Sequence, residues 1–513
     1  MSGYLRRLAT TGAAYTAASV VSKLIAVALL PLYTHYLSPA DYGAAEVMFA
    51  AVVSASIIVR FGTIEALLRF YYKDDEDPGA VIATSFAALF WFSTAAALIA
   101  LPFAGTISEA LLDRSAAGLA RISIGGLWVL TMVEYLLTLF RLEERARAYF
   151  VTTILNVLLA IGLTVVLVVG QDEGARGLLL GSYGSGAVVA LALMVVHRRR
   201  LSLWIDGPLL RRMTRFGLPT MPAELSLYLL NFVDRIVIVR SAGLAEAGLY
   251  SLAVKFAQAV NVLVRGFQLA WPPLAYSIRD DGEARRAYAA VVTWFVAGCA
   301  FVVTGMWLFS RWIVRILAAP QFFDSYEAIG LIATGVTLYA LYMVLVVILG
   351  RTGRTEFNFP ATIAALVANV ALNLLLVPSL GIVGAGLALV ASYIVVVALM
   401  YVFTQRLFPV PYEWGRLARV VLVSAALVGL AELLLPTEGF IGLLTRILFW
   451  FAYPAALLLG GFFTDEERGW LGRLRHPGEL LDRYRVAQKR PAVVDGQLPE
   501  VYEAERMDED SRL

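Results

Sequence analysis

The stretch VRFGTIEALLRFYYKDD, residues 59–75, places Arg60 and Glu65 inside a segment that otherwise has the composition of a membrane-spanning helix. A second stretch, VRGFQLAWPPLAYSIRDD, covers residues 264–281 and repeats the opening Val-Arg and the closing Asp-Asp. Its arginine, Arg265, lies 205 residues after Arg60. Ionisable side chains within a membrane are costly, so they usually face a cavity or a charged partner. The duplicated arginine therefore suggests a polar site to which two halves of the chain contribute.

Composition places the chain among membrane proteins. Of its 513 residues, 60% are hydrophobic and 16% are charged, with a mean hydropathy of +0.75, whereas soluble domains carry about 25% charged residues. Apolar runs of roughly 20 residues, enough to cross a hydrocarbon core about 30 Å thick, recur along the chain. The sequence predicts an all-α integral membrane protein with about fourteen transmembrane helices. They lie near residues 11–36, 42–70, 80–102, 119–140, 150–169, 178–196, 216–241, 247–278, 288–310, 325–349, 358–377, 383–404, 418–436 and 440–463.

The distribution of charge predicts the orientation. Lys and Arg concentrate in alternate loops, as the positive-inside rule expects of cytoplasmic loops. An even number of spans then leaves both termini in the cytoplasm. The most basic loop, HRRRLSLWIDGPLLRRMTR at residues 197–215, is predicted to be a cytoplasmic linker. The mixed-charge residues 464–513 are predicted to form a largely disordered cytoplasmic tail.

Two further matches indicate an internal duplication. SPADYG at 38–43 aligns with GLAEAG at 243–248, and GARGLLLGSY at 174–183 aligns with GAGLALVASY at 384–393. We therefore predict an N-terminal six-helix lobe at 1–196, a related C-terminal lobe at 216–404, and two further helices at 405–463. Because each lobe has an even number of spans, both insert in the same orientation, and substrate sites in such proteins lie between the repeats.

Charged residues inside the spans concentrate in the first two spans of each half. They are Lys23, Glu46, Arg60, Glu65, Glu224, Asp234, Arg235, Lys255 and Arg265. Residues equidistant from a hairpin turn lie at the same depth. Asp234 is therefore predicted to sit together with Lys255, and Glu224 with Arg265. For Asp234 and Lys255, a structural salt bridge and a functional pair remain equal alternatives.

Arg60 and Arg265 favour a functional interpretation. Two cations at symmetry-related positions repel each other unless an anion lies between them. Guanidinium groups bind phosphates in bidentate geometry. The sequence thus predicts a polyanionic substrate that enters from the cytoplasm, with Lys23 as a third contact.

Prolines within the spans suggest bent helices that line a cavity. In lipid, backbone groups freed by proline are tolerated only against protein or a wet cavity. The prolines concerned are Pro31, Pro219, Pro222, Pro272 and Pro273, and the last two are predicted to break the eighth span. A simple kink explains Pro31 equally well.

Several functional classes lack support in the sequence. The chain has no Walker A motif for direct use of ATP. It has no metal-ligand spacing among its three histidines and no nucleophile constellation. We therefore expect a transporter and not an enzyme, without a cofactor, a bound metal or a nucleic-acid partner.

Two hairpins resemble a known family. SKLIAVALLPLYTHYLSPADYG at 22–43 and FGLPTMPAELSLYLLNFVDRIVIVRSAGLAEAGLYSLAVKFAQ at 216–258 are similar to bacterial polysaccharide-repeat-unit flippases. These serve O-antigen, capsule or exopolysaccharide synthesis and belong to the multidrug/oligosaccharidyl-lipid/polysaccharide exporter (MOP) superfamily. The resemblance implies two six-helix lobes around a central cavity that alternates between inward-open and outward-open states.

The resemblance also implies a substrate and roles for individual residues. The substrate would be an oligosaccharide on polyprenyl pyrophosphate, moved from the inner to the outer leaflet of the cytoplasmic membrane. Arg60 and Arg265 would bind the pyrophosphate, with Lys23 and Lys255 behind them. The thirteenth and fourteenth spans would offer a groove for the lipid tail.

Energy coupling and partners complete these expectations. An ion gradient would drive the cycle, with Asp234 or Glu224 carrying a coupling proton, while Arg235 and Glu46 belong to the same group of coupling or cavity salt-bridge residues. Membrane lipid and the polysaccharide assembly machinery are the expected partners of a monomer.

Three rival functions remain open. A multidrug antiporter of the same fold should have a carboxylate-rich, aromatic cavity, whereas the spans here lean basic. A flippase for a lipid-linked peptidoglycan precursor shares the basic cavity and the extra spans. A membrane polymerase or ligase of surface polysaccharide would also handle polyprenyl-linked sugars, but the short outside loops and the duplication argue against it.

Overall fold

The computed structural model describes residues 27–73, 75–230 and 232–465, together with Val21, Ile25 and Glu467. Lys23, most of the first predicted span and nearly all of the predicted tail lie outside these residues. In the described part the chain forms eighteen α-helices and no β-strand. The helices are α1 Leu30–Tyr36, α2 Pro39–Arg60, α3 Thr63–Phe70, α4 Pro78–Ala100, α5 Ala104–Leu112, α6 Ala117–Leu142, α7 Ala146–Thr164, α8 Gly174–His197, α9 Gly207–Gly217, α10 Met221–Leu229, α11 Val233–Ala242, α12 Leu244–Ala257, α13 Val260–Ser277, α14 Asp281–Leu317, α15 Tyr326–Arg351, α16 Asn358–Leu407, α17 Trp414–Leu434 and α18 Gly439–Leu459.

Ten segments of the described residues have the length and hydropathy of a membrane span. One of them, α16, contains a non-helical residue, Gly381, with φ 54° and ψ −133°. Its two parts match the predicted spans at 358–377 and 383–404. The seventh and eighth spans are each divided into two shorter helices, α10–α11 and α12–α13. The architecture is therefore consistent with the fourteen helices predicted.

The chain divides into one compact unit of Met1–Tyr453 and a second of Pro454–Leu513. In the first unit, a single large hydrophobic core combines residues of both halves, among them Tyr42, Met48, Tyr250 and Val396. The predicted all-α membrane fold is confirmed: two pseudo-symmetric helical halves surround a central cavity, and two further helices follow. The described residues are consistent with six helices in each half. The exact limits of the lobes, the linker and the tail stay predictions.

Prolines start helices more often than they interrupt them. Pro31 and Pro222 occupy the first turn of α1 and α10, and Pro219 lies in the first turn of a short 3-10 segment, Leu218–Thr220. A missing backbone N–H is harmless there. Pro272 and Pro273 lie inside α13, which continues to Ser277, so the prediction that they break the span is wrong. Membrane helices tolerate such prolines through local adjustment of the freed backbone groups.

The divisions of the seventh and eighth spans fall at other residues. α10 ends at Leu229 before α11 begins at Val233, and α12 ends at Ala257 before α13 begins at Val260. Both spans are therefore interrupted at positions other than these prolines, and the bending of the helices at the prolines stays a prediction.

The two halves approach closely at a pair of glycines that the internal repeat aligns. A Cβ at Gly43 would overlap the carbonyl oxygen of Leu244 and lie 2.7 Å from the amide nitrogen of Gly248. A Cβ at Gly248 would overlap the carbonyl oxygen of Pro39. Only glycine permits backbones to cross at this separation. Residues 39–48 and 244–253 are thus fixed against each other at the predicted outer end of the cavity.

We predict that Gly43→Leu destabilises the protein by about 1–3 kcal/mol, because an overfilled contact must move backbone. The measurement is thermal unfolding of purified protein in detergent, with Gly125→Leu as the matched control. Gly125 is also helical, but a Cβ there meets no atom within 4 Å. Equal unfolding temperatures for the two variants would show that the crossing tolerates side chains.

Candidate functional site: a charged cavity between the halves

A cavity of about 680 Å³ lies between the two halves. Its walls come from α2 and α6 of the first half and from α10 to α13, α15 and α16 of the second. The ionisable groups among its lining residues are three carboxylates and three arginines: Glu46, Arg60, Glu134, Glu224, Arg235 and Arg265. Five aromatic residues also line it: Phe49, Tyr228, Tyr250, Tyr339 and Tyr393. The prediction of a shared site that contains both repeated arginines is supported by this geometry.

Arg60 is positioned by the end of a helix. α2 stops at Arg60 because Phe61 and Gly62 adopt left-handed conformations, with φ 45° and 66°. A Cβ at Gly62 would overlap the carbonyl oxygen of Gly217, so the chain turns where the backbone of the second half touches it. A cation in the last turn is also favoured by the negative end of the helix dipole. Arg60 is therefore presented at the predicted inner end of the cavity.

Two carboxylates already neutralise Arg60. Its guanidinium donates to Glu134 at 3.0 Å and to Glu224 at 2.9 Å, and its side chain is only 12% exposed. The expectation that Arg60 lacks a counter-charge until substrate arrives is therefore wrong. Glu224 belongs to the second half, so this pair of bonds also joins the halves. Glu224 was predicted to sit with Arg265, but its ion-pair partner is Arg60. Glu134 was not predicted as a partner of Arg60, although it is an isolated acid in the apolar span 119–140.

Arg265 has a different environment. It lies on α13, is exposed, and lines the same cavity. Among the described residues, it has no ion-pair or hydrogen-bond partner in this structure. The two repeated arginines thus share a cavity but are not equivalent, because only the first is held by acidic side chains.

The second ion pair between the halves joins Glu46 to Lys255. The Lys255 ammonium lies 2.6 Å from a Glu46 carboxylate oxygen and 5.7 Å from the ring centroid of Tyr42. Glu46 is 8% exposed and Lys255 is 37% exposed. Lys255 is therefore occupied by Glu46, and it is not among the lining residues of the cavity.

Asp234 does not pair with Lys255, so that prediction is wrong. Asp234 is fully buried and accepts hydrogen bonds from the Tyr250 hydroxyl and the Asn373 amide, each at 2.7 Å. Counting residues from the turn fixed the depth of Asp234 but not the side of the helix on which it lies. Its neighbour Arg235 donates to the Ser251 hydroxyl at 3.1 Å and lines the cavity.

Among the described lining residues, the charges do not lean basic as predicted. Three carboxylates balance three arginines among the lining residues, because Glu134 joins Glu46 and Glu224. The composition of the cavity therefore no longer distinguishes a lipid-linked sugar flippase from a drug antiporter by itself.

Further polar contacts join the halves at the predicted outer end. The Gln321 side chain donates to the carbonyls of Thr34 and Leu37, each at 3.0 Å. The Arg240 guanidinium lies 3.0 Å from an Asp113 carboxylate oxygen. With the glycine crossing and the Glu46–Lys255 pair, these contacts hold the two halves together at that end.

Comparison with known proteins supports the resemblance seen in the hairpins. The succinoglycan biosynthesis transport protein ExoT of Rhizobium meliloti (strain 1021) is 24% identical over 313 residues. This alignment covers 59% of the chain but only 61% of that relative.

Solved structures of low sequence identity share the fold. An inward-facing multidrug resistance MATE family transporter of the MOP superfamily matches with a TM-score of 0.64 at 17% identity, over 75% of this chain and 95% of that one. The lipid II flippase MurJ in an inward closed conformation matches with a TM-score of 0.66 at 12% identity, over 87% of this chain and 98% of that one. The chain therefore shares the fold of these two proteins, as the resemblance implied.

Family membership follows from a direct match. Residues 9–279, more than half of the chain, match the model of a family described as polysaccharide biosynthesis protein. The matched range includes the first half from residue 9 onward, the linker and both repeated arginines. The chain belongs to the polysaccharide biosynthesis protein family.

Proposed function

We propose that the chain is a flippase for a polyprenyl-pyrophosphate-linked oligosaccharide in the synthesis of a cell-surface polysaccharide. It moves this substrate from the inner to the outer leaflet of the bacterial cytoplasmic membrane by alternating access. Family membership and the flippase-like fold support this proposal. The observation that carries it is Arg265, a cavity arginine for which the described residues provide no counter-charge.

The pyrophosphate contacts Arg265 first. An anion entering from the inner leaflet finds a cation that is not committed to a carboxylate, and charge-assisted hydrogen bonds to phosphate are the stronger kind. Lys23, which lies outside the described residues, remains a candidate for a further contact, and Lys255 becomes one only when it leaves Glu46.

Arg60 then changes partners. A phosphate that reaches Arg60 competes with Glu224 for the same guanidinium, and Glu224 is 43% exposed to the cavity. Because the bond from Arg60 to Glu224 joins the two halves, its exchange for phosphate couples substrate binding to movement of the halves. Glu134, on the same half as Arg60, keeps the guanidinium in place during the exchange.

We predict that Arg265→Gln lowers flipping about 10- to 100-fold, since hydrogen bonds to charged groups contribute about 1.5–3 kcal/mol. The assay is translocation of a fluorescent polyprenyl-pyrophosphate oligosaccharide in proteoliposomes. Arg121→Gln is the matched control, because Arg121 is an exposed arginine of α6 outside the cavity. If Arg265→Gln flips as fast as this control, the proposed pyrophosphate contact is rejected.

Arg60 needs a charge-balanced test, because Arg60→Gln alone leaves Glu134 and Glu224 facing each other without a cation. We expect the double variant Arg60→Gln/Glu224→Gln to recover most of the thermal stability that the single variant loses. Flipping should stay at least about tenfold below wild type, because the phosphate contact is still missing. Recovery of flipping together with stability would mean that Arg60 is only structural.

The Glu46–Lys255 pair forms the outer gate in this proposal, and opening toward the outside must break it. The reporter is a Phe49→Cys substitution in a Cys299→Ser background, labelled from outside. We predict that Glu46→Gln raises this labelling roughly fivefold, which corresponds to a shift of about 1 kcal/mol toward the outward-open state. The charge reversal Glu46→Lys/Lys255→Glu should restore low labelling. Glu109→Gln, an exposed acid near the outside, is the control. No difference between Glu46→Gln and this control argues against the gate.

Asp234 is the group that we propose for ion coupling, with Glu224 as the alternative. It is a buried carboxylate whose hydrogen-bond donors, Tyr250 and Asn373, are neutral. We expect Asp234→Asn to keep basal flipping but to lose stimulation by an imposed proton or sodium gradient. The measurement is the ratio of flipping rates with and without each gradient. An unchanged ratio with both ions excludes Asp234 from coupling.

A multidrug antiporter is the second candidate, because three carboxylates and five aromatic residues line the cavity. Such a protein would expel organic cations and would not respond to polyprenyl pyrophosphate. A flippase of lipid-linked peptidoglycan precursor would accept a different glycan on the same carrier. Comparing the three substrates in the same proteoliposomes separates these functions.

Localisation and partners follow from the proposed activity. We place the chain in the cytoplasmic membrane with both termini in the cytoplasm, as a monomer that delivers substrate to the polysaccharide assembly machinery. Ten segments suited to crossing a membrane support the multi-pass arrangement.

A further inference from the structure

A second cavity, of about 600 Å³, lies between α13 and α14. Its volume falls in the range of roughly 300–1,000 Å³ that is typical of ligand pockets. The residues that define it include Gly266, Phe267, Val291, Trp294, Phe295 and Gly298. None of the lining residues that the structure describes is charged, so the space suits a hydrocarbon and not a head group. We call this space the hydrocarbon slot.

Two stacked aromatic rings and two glycines form the walls of the slot. The rings of Phe267 and Phe295 stack with their centroids 4.1 Å apart. A Cβ at Gly266 or at Gly298 would meet no atom within 4 Å, so these glycines leave space that larger residues would occupy. Trp294 is 45% exposed at the rim. The shape fits a branched chain of limited thickness.

The slot is adjacent to the charged cavity. Gly266 directly follows Arg265, and successive residues of a helix point about 100° apart, so α13 presents the arginine to one space and the glycine to the other. Arg265 lies twelve residues before the end of α13 at Ser277, or about 18 Å along the helix. That end faces the cytoplasm in the predicted orientation. The slot is therefore at the depth of Arg265, on the side from which substrate arrives.

We propose that the hydrocarbon slot holds the first isoprenoid units of the substrate's lipid carrier while its pyrophosphate contacts Arg265. This inference rests on the proposed flippase function and adds a second subsite to it. It places the head-group end of the tail against α13 and α14, whereas the family resemblance suggested the last two spans. Lipid tails are as apolar as the slot, so its gain is packing and its role is to orient the carrier.

Filling the slot tests this placement. Gly298→Leu and Gly266→Leu put a side chain into open space on opposite walls, and Gly162→Leu is the matched control. Gly162 is a glycine of α7 whose Cβ would also meet no atom within 4 Å, but it lies outside the slot. Flipping of a full-length polyprenyl-pyrophosphate oligosaccharide should fall at least about fivefold in both slot variants, since several dispersion contacts are lost. Binding of the oligosaccharide pyrophosphate without any isoprenoid chain should stay close to wild type.

A photoreactive substrate provides a direct readout. A polyprenyl pyrophosphate with a diazirine close to the head group should label peptides that contain Val291 and Trp294. A phospholipid with a diazirine in its acyl chain should label them less and should be displaced by the polyprenyl compound. Equal labelling by the phospholipid without displacement identifies an ordinary lipid site and overturns the inference.

The outcomes separate this inference from the function on which it rests. If wild-type protein neither binds nor flips the polyprenyl substrate, both proposals are rejected. If wild-type protein flips it and Gly298→Leu matches Gly162→Leu, only the slot is rejected. Reduced flipping in both slot variants, with slot labelling in wild type, supports it.

Discussion

The structure depends on one constraint: a charge placed within a membrane must find an opposite charge or a wet space. α2 meets this constraint twice, with Glu46 and Arg60 fourteen residues apart, or about 21 Å along its axis. Glu46 pairs with Lys255 and Arg60 with Glu224, so one helix of the first half is tied to the second half near both ends of the cavity. These pairs are costly to leave unmade, since removing one partner leaves an uncompensated charge. The cavity thus lies between two ion pairs. Breaking either of them costs free energy unless another charged group replaces the lost partner.

Breaks in the helices turn this constraint into a site. The left-handed Phe61 and Gly62 end α2 at its arginine, and the divided seventh and eighth spans supply most of the opposite wall. Straight helices would continue the hydrogen-bond ladder past these points and present a smoother apolar surface. The close approach of Gly62 and Gly217 fixes the first break, because neither residue has a side chain to keep the backbones apart.

Much of this arrangement could be predicted from the sequence, and the failures have a common cause. Hydropathy and the repeat indicated the spans, and their charged residues pointed to the second, seventh and eighth, which are three of the six spans whose described residues line the cavity. Ion-pair partners were harder to predict. Asp234 was paired with Lys255 from depth alone, although the rotation of α11 about its own axis decides which side chain Asp234 meets. Glu134 lies in a span with no charged counterpart in the repeat, so symmetry gave no reason to place it beside Arg60. The prolines predicted the wrong position for the break in the eighth span, because tertiary contacts, not local propensity, decide where a membrane helix ends.

The crossing of Gly43 and Gly248 limits how the two halves can diverge. After a gene duplication, most paired positions are free to drift separately, because a change in one copy meets an unrelated environment in the other. Here the two equivalent glycines contact each other, so a side chain added at either position would crowd the backbone of the other. At this contact the two repeats cannot change in sequence independently of each other. Their similarity is therefore still visible in the geometry.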